Sequence, residues 1–293
     1  MKVKESMGRK VFLVSNALIL GLVGFLCLAP MLHVIASSIS DPITLARERG
    51  FHLWPIAPFS FEGYKAVLGY QNILTGYGNT VFYVAAGIVF NLFLTTIAAY
   101  VLSRKRFMPG NVIMLFIAFT MLFNGGLIPN YLLIVRMGLV DNRLAVILPS
   151  AFNAFNLVIM RTSMKEIPEA LEESARLDGA NDLQILWHII IPVSQATMAV
   201  ITLFVAVSIW NSWFTASIYL TDRAKWPLQL FLREVLINNS QRSLNAGVKA
   251  SAMTLQTLVK YCVIVVATLP ILFIYPFLQK YFVKGIMIGS IKG

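Results

Sequence analysis

The sequence has no G-x-x-x-x-G-K-[ST] stretch, so it lacks the loop that cradles nucleotide phosphates. Acids are scarce: 13 Asp and Glu stand against 24 Lys and Arg in 293 residues. None of the acids falls inside a long apolar run. Proton- and ion-coupled carriers use intramembrane carboxylates as relays, and intramembrane aspartyl proteolysis needs a pair. Both activities are disfavoured. The two cysteines, Cys27 and Cys262, sit within apolar runs and read as small core residues, with no disulfide or metal site implied. His33, His52 and His188 lie far apart without ligand spacing, so they read as local polar residues. No internal repeat and no low-complexity linker is present.

What the chain has is apolar length. It is 58% hydrophobic, which places it among polytopic membrane proteins. Bilayer spans need about 20 apolar residues. The runs begin with residues 11–35, too long for a signal-peptide core and without an A-x-A-like site after it. Pro30 is expected to kink this helix or to mark its outer turn. Residues 79–102, 112–123, 144–164, 190–214 and 254–278 follow as helices two to six. The third is short, interrupted by Asn124-Gly125-Gly126 and Pro129, and resumes at Tyr131. Such breaks are tolerated where they are buried in protein or face a cavity. The expected fold is an all-α polytopic membrane protein of about six spans: an N-terminus at residues 1–10, one membrane domain at 11–278 and a tail at 279–293.

The net charge of +11 would point to nucleic acid in a soluble protein. Here the bases flank apolar runs, and orientation in the membrane is the better account. Lys2, Lys4, Arg9 and Lys10, then Arg104 to Arg106, then Arg161, Lys165 and Arg176, then Lys280, Lys284 and Lys292 fall on one side if the N-terminus is inside. Both termini are then cytoplasmic, as is the loop at residues 165–189. The outer connections are residues 37–78 and 215–252, with short helical patterns near 61–68 and 228–237.

That inner loop is the longest acid-rich stretch between apolar runs. Pro168 suits a first helical position, and Glu169 follows at the positive end of the dipole. Glu172 precedes Arg176 by one turn, in the favourable order for an ion pair. Gly179 suits the helix stop, and Asn181 with Gln184 reads as a capping box opening a second short helix. Pro192 starts the next apolar run.

Glu173-Ser174-Ala175, three residues, Gly179, nine residues, Ile189, one residue, Ile191-Pro192 resembles the EAA loop of binding-protein-dependent ABC importer permeases. Ser174 departs from the first Ala of that pattern and Ile191 from its Leu. The flanking ARLDGA and the closing FVKGIMIGSIKG resemble carbohydrate-type permeases, of the MalG-like and alginate types. The resemblance covers essentially the whole chain, most weakly between Ile39 and Gly78. It implies that Glu173, Ser174, Ala175, Leu177, Asp178, Gly179, Ala180, Ile189 and Pro192 couple to an ATPase. The implied partners are a second homologous permease, a cytoplasmic ATPase dimer that binds ATP and Mg, and an extracytoplasmic solute-binding protein. The implied location is the bacterial cytoplasmic membrane, and the implied work is sugar or oligosaccharide import by alternating access, without covalent chemistry and without a cofactor in this chain. The resemblance also implies that residues 284–293 reach between the ATPase subunits. Rival readings from the residues alone are an ion-coupled secondary carrier and a membrane-embedded enzyme or scaffold.

Polar groups in apolar helices are costly and often line a path. Asn91, Asn124, Tyr131, Asn153, Asn156, Trp210, Asn211 and Trp213 are the candidates for substrate contact. Amides bond hydroxyls, and aromatic faces cover the C–H side of a pyranose. The other reading is that the asparagines join helices and the tryptophans anchor at the interface. Asn153 and Asn156, three apart, are expected on one helix face. Lys260 would cost roughly 2.5–3.5 kcal/mol at mid-membrane. It either snorkels outward or offers a cation to an acidic saccharide.

Overall fold

The computed structural model describes residues 6–48, 50–123, 125–244 and 257–273. Every regular element among them is helical. The expected tail and Asn124 lie outside the described residues. The chain forms two compact units.

The first unit contains α1 (Met7–Ile39), α2 (Pro42–Arg47), α3 (Glu62–Leu68) and most of α15 (Thr257–Phe273). α1 starts at Ser6, whose hydroxyl accepts the Arg9 amide at 3.3 Å. Its 33 residues give a rod of about 50 Å, enough to span with tilt. Pro30 sits inside the helix, which continues through it to Ile39. The first two thirds of α1 are almost wholly exposed, as an apolar rod facing lipid or protein would be in isolation. The far end is polar and tied down. The Ser40 hydroxyl donates to the Ala36 carbonyl and accepts the Ile56 amide, and Ser38 shares a 2.7 Å bond with the Tyr64 hydroxyl. A Cβ at Gly63 would lie 2.6 Å from Cys262 Sγ, so α3 and α15 meet at a glycine. The small side chain there permits the close approach.

The second unit holds α4 (Gln71–Ser103), α5 (Gly110–Thr120), α6 (Leu127–Arg136), α7 (Leu144–Ile147), α8 (Ala154–Lys165), α9 (Glu169–Leu177), α10 (Asp182–Ile185), α11 (Ile191–Val193), α12 (Gln195–Trp210), α13 (Phe214–Tyr219) and the start of α14 (Leu228–Leu244). α4 begins earlier than the apolar run suggests, because Gln71 to Gly78 is helical although polar. Several polar residues of α4 are buried along its length: Asn79, Thr80, Asn91, Thr95 and Thr96. These groups are costly in a low-dielectric setting unless paired; all but Thr96, whose hydroxyl has no partner among the described residues, are paired. Asn79 donates to the Ala224 and Trp226 carbonyls and accepts Arg143. Asn91 donates to the Ser150 carbonyl at 3.0 Å and accepts Asn156 at 3.3 Å.

Two expected spans are bent. The fourth is divided into α7, a 3-10 turn at Leu148–Ser150, and α8, with a 45° bend. Pro149 removes an amide donor, and Asn153 takes an extended conformation and caps α8. Asn91 satisfies the Ser150 carbonyl that the break exposes. The fifth bends by 78° between Asp182–Val193 and Gln195–Trp210. A π turn at Leu186–Ile190 precedes Pro192, whose ring cannot donate to the His188 carbonyl. The proline therefore lies within a continuing helix and does not start it. The third expected span is interrupted as predicted, with Gly126 at φ 89° between α5 and α6. α1 and α4 are each long and apolar enough to cross a bilayer alone.

Candidate coupling elbow and polar cleft

α9 begins one residue later than expected. Pro168 is its N-cap, at φ −58° and ψ 131°, and Glu169 is the first helical residue. Gly179 has φ +84°, a region where a Cβ is strained. The Ala180 amide donates to the Ala175 carbonyl at 2.9 Å and the Gly179 amide to the Arg176 carbonyl at 3.0 Å. This is a Schellman stop. The capping box is complete: Asn181 and Gln184 exchange bonds at 2.9 Å in both directions.

The expected Glu172–Arg176 pair does not form. Glu172 is buried and pairs with Arg104, while Arg176 crosses the glycine turn to Asp182. The stop at Gly179 brings the α10 N-terminus back within reach of Arg176, and Arg104 offers Glu172 a sheltered partner. Arg104 also donates to the Met164 carbonyl at 3.2 Å and to the Ser103 hydroxyl at 3.0 Å. Burial lowers the pKa of its guanidinium from the ordinary value. A second cation, Lys105, pairs with Glu169 at 3.0 Å in the open. Arg161 on α8 donates to the Leu102 carbonyl and to Asn111 on α5. A cleft of about 730 Å³ lies between the end of α4 and α9.

The elbow has two sides. Ile185, Leu186 and Ile190 are buried in the core with Met160 and Met164, and Ala175, Ala180 and Ile189 pack against that core. Glu173, Ser174, Asp178, Gly179 and Pro192 face outward. Around them Leu177 is 89% exposed, Leu183 68% and Trp187 60%. They are large apolar side chains left open on an otherwise polar helix pair.

The second cleft, about 470 Å³, lies among α4, α8 and α12. Asn91, Asn153, Asn156, Ser208, Ser212 and Thr215 line it in part, together with phenylalanines. Phe155 and Phe204 have ring centroids 6.3 Å apart. Asn153 and Asn156 meet, but not on one helix face: Asn153 is the cap, and its Oδ1 accepts the Asn156 amide at 3.2 Å. The other candidates are elsewhere. Tyr131 stacks on Tyr219, Trp210 packs against Tyr77, and Asn211 ends α12 one residue before Ser212. Lys260 is half-buried on α15, in the first unit.

Sequence reading missed a third cluster. Asp141 has φ 59° and holds the turn before α14: its carboxylate accepts the Thr221 and Asp222 amides and the Lys225 ammonium at 2.8 Å. The Lys225 bond, then the Asp222 amide, lower the pKa of this carboxylate to about 2, and the bond to Asp141 raises that of Lys225. The partners lie some eighty residues apart in the chain, so only the fold joins them.

Bent spans, a buried polar ladder and an exposed, glycine-turned elbow define an all-α membrane permease that is one part of a larger machine. The chain belongs to the family of binding-protein-dependent transport system inner membrane components, matched over residues 107–288. It is 41% identical to Protein LplC of Bacillus subtilis (strain 168) over 97% of this chain and 96% of that one. It is 42% identical to the polygalacturonan/rhamnogalacturonan transport system permease protein YtcP of the same organism, over 92% and 93%. Among solved structures it resembles a chain of a bacterial ABC transporter involved in the import of the acidic polysaccharide alginate. The TM-score is 0.84 at 35% identity, covering 96% of this chain and 100% of the other. Family and relatives favour an ABC permease over an ion-coupled carrier.

Proposed function

We propose that this chain is the permease subunit of an ATP-driven importer for an acidic oligosaccharide, and that residues 165–189 are its ATPase-coupling loop. The elbow carries this reading. Leu177, Leu183 and Trp187 stand exposed around a glycine stop, on a scaffold anchored by buried Ile185 and Ile190. Glu173, Ser174, Asp178 and Gly179 form the rest of the contact, and Ala175, Ala180, Ile189 and Pro192 set its shape. ATP and Mg bind to the partner ATPase dimer, a second permease completes the path, and a solute-binding protein delivers cargo at the opposite face. Both termini are then cytoplasmic. Closure of the ATPase moves the elbow, and the bent spans turn the cargo path from one side of the membrane to the other. The cargo class rests on relatives whose names specify polygalacturonan, rhamnogalacturonan and alginate.

The polar cleft is the part of the path on this subunit. Asn153 with the Ser208, Ser212 and Thr215 hydroxyls suits ring hydroxyls, while Asn91 and Asn156 hold the wall together. Trp213 adjoins this cleft between Ser212 and Thr215, Tyr131 and Asn211 border other stretches of the path, and Lys260 lies on α15.

The test is ATP-dependent uptake of uronate oligomers by the assembled importer in proteoliposomes, wild type beside Glu173→Lys. Uptake and copurification of an ATPase with wild type, with both reduced in the variant, are expected. Flux driven by an ion gradient without ATP would sink the reading.

A further inference from the structure

Against the turn between α12 and α13 stands a cation that no carboxylate answers among the described residues. The Arg233 guanidinium of α14 lies 3.4 Å from the centroid of the Trp213 ring. Arg233 is exposed, and among the described residues it has no carboxylate within ion-pair distance. Nearby bases are engaged: Lys225 with Asp141 and Asp222, and Arg143 with Asn79. The sequence offers little more, because Glu234 is the last acid in the chain. Trp213 itself lies between Ser212 and Thr215, which line the polar cleft. That cleft is walled by amides, hydroxyls and phenyl rings, with no charged side chain. It offers donors and acceptors for the hydroxyls of a sugar but no cation to balance a carboxylate.

We propose that Arg233, laid on Trp213, receives a uronate carboxylate while the adjoining cleft takes the ring hydroxyls. This rests on the reading of an acidic oligosaccharide as cargo. A guanidinium stacked on a ring by one face keeps its in-plane N–H donors free, and these match the two oxygens of a carboxylate. The stack also holds the fork in place, so less side-chain freedom is lost on binding. An ammonium on a flexible stem has neither property.

The whole importer in proteoliposomes, with its binding protein and internal ATP, is assayed for trigalacturonate uptake. Arg233→Gln should raise KM about tenfold, the loss of one charge-assisted contact, with assembly and substrate-free ATP hydrolysis unchanged. Arg233→Lys should recover only part of the loss, and Trp213→Leu should copy it in milder form. KM unchanged in Arg233→Gln, or full recovery with Lys, would overturn the carboxylate site and leave the cargo reading intact. A wild-type importer that moves neutral oligosaccharides but no uronate would overturn the cargo reading itself.

Discussion

Arg104, just beyond the end of α4, pairs with Glu172 on α9, and both side chains are largely shielded from water. The pair ties the end of this long helix to the elbow at α9, and the Arg104 bond to the Met164 carbonyl brings the end of α8 into the same knot. A displacement of α9 therefore acts on two helices that line the polar cleft. Removing one member of such a pair strands a charge, which costs about 3–5 kcal/mol, whereas replacing both by apolar groups is often close to neutral. Glu172→Leu and Arg104→Met should each lower the unfolding temperature of the purified permease strongly, and the double variant should recover most of it. A double-mutant cycle by thermal unfolding in detergent checks this. Additive losses would show that the pair carries no coupling.

Gly179 makes a separable prediction. A Cβ there would meet nothing within 4 Å, so any loss on substitution arises from the backbone at φ +84° and not from a clash. Gly179→Ala should cost about 1–2 kcal/mol of local stability, and Gly179→Asn less, because Asn visits the left-handed region more readily. ATP-driven uptake should fall in the order glycine, asparagine, alanine. Equal uptake in all three would mean that the stop needs no left-handed residue.

The Asp141–Lys225 knot predicts an acid transition confined to one turn. The carboxylate has its pKa lowered from 3.8 to about 2. A depressed acid stabilises the fold above its unfolded pKa, and that contribution is lost as pH falls through the folded value. The turn at residues 219–226 should thus resist pepsin at pH 4 and open as pH approaches 2. Asp141→Asn keeps an acceptor for the Thr221 and Asp222 amides but loses the ammonium pair, so it should be cut at both values. Mass spectrometry of the cleavage products reads the outcome.

What could be read from residues alone was local. The glycine stop, the capping box and the interrupted third span all depend on neighbours within a few positions, and each stands where the sequence places it. Ion pairing did not follow the same logic. The spacing of Glu172 and Arg176 is right for a helical pair, yet a largely shielded Arg104, just past the end of α4, displaces a solvated partner. Likewise the break at residues 151–153 is hidden in an apolar run, because it depends on Asn91 reaching across to a freed carbonyl. Asn153 and Asn156 are legible as a polar pair, but not as cap and helix. The Arg233–Trp213 stack needs two elements that no local pattern relates.

Two glycines two positions apart on α4 give the sharpest packing test. A Cβ at Gly76 would fall 2.8 Å from a Phe231 ring carbon and 3.0 Å from the Leu228 Cα, so part of the obstacle is backbone. At Gly78 a Cβ would meet nothing within 4 Å. Overpacking costs about 1–3 kcal/mol, whereas replacing glycine by alanine in a helix gains up to about 1 kcal/mol. The same substitution should therefore have opposite signs: Gly76→Ala lowers the unfolding temperature of the purified permease and Gly78→Ala holds or raises it. Since α14 starts at Leu228, a loss at Gly76 of the same size as at Gly78 would mean that α4 and α14 do not meet as closely as the Cβ distances require.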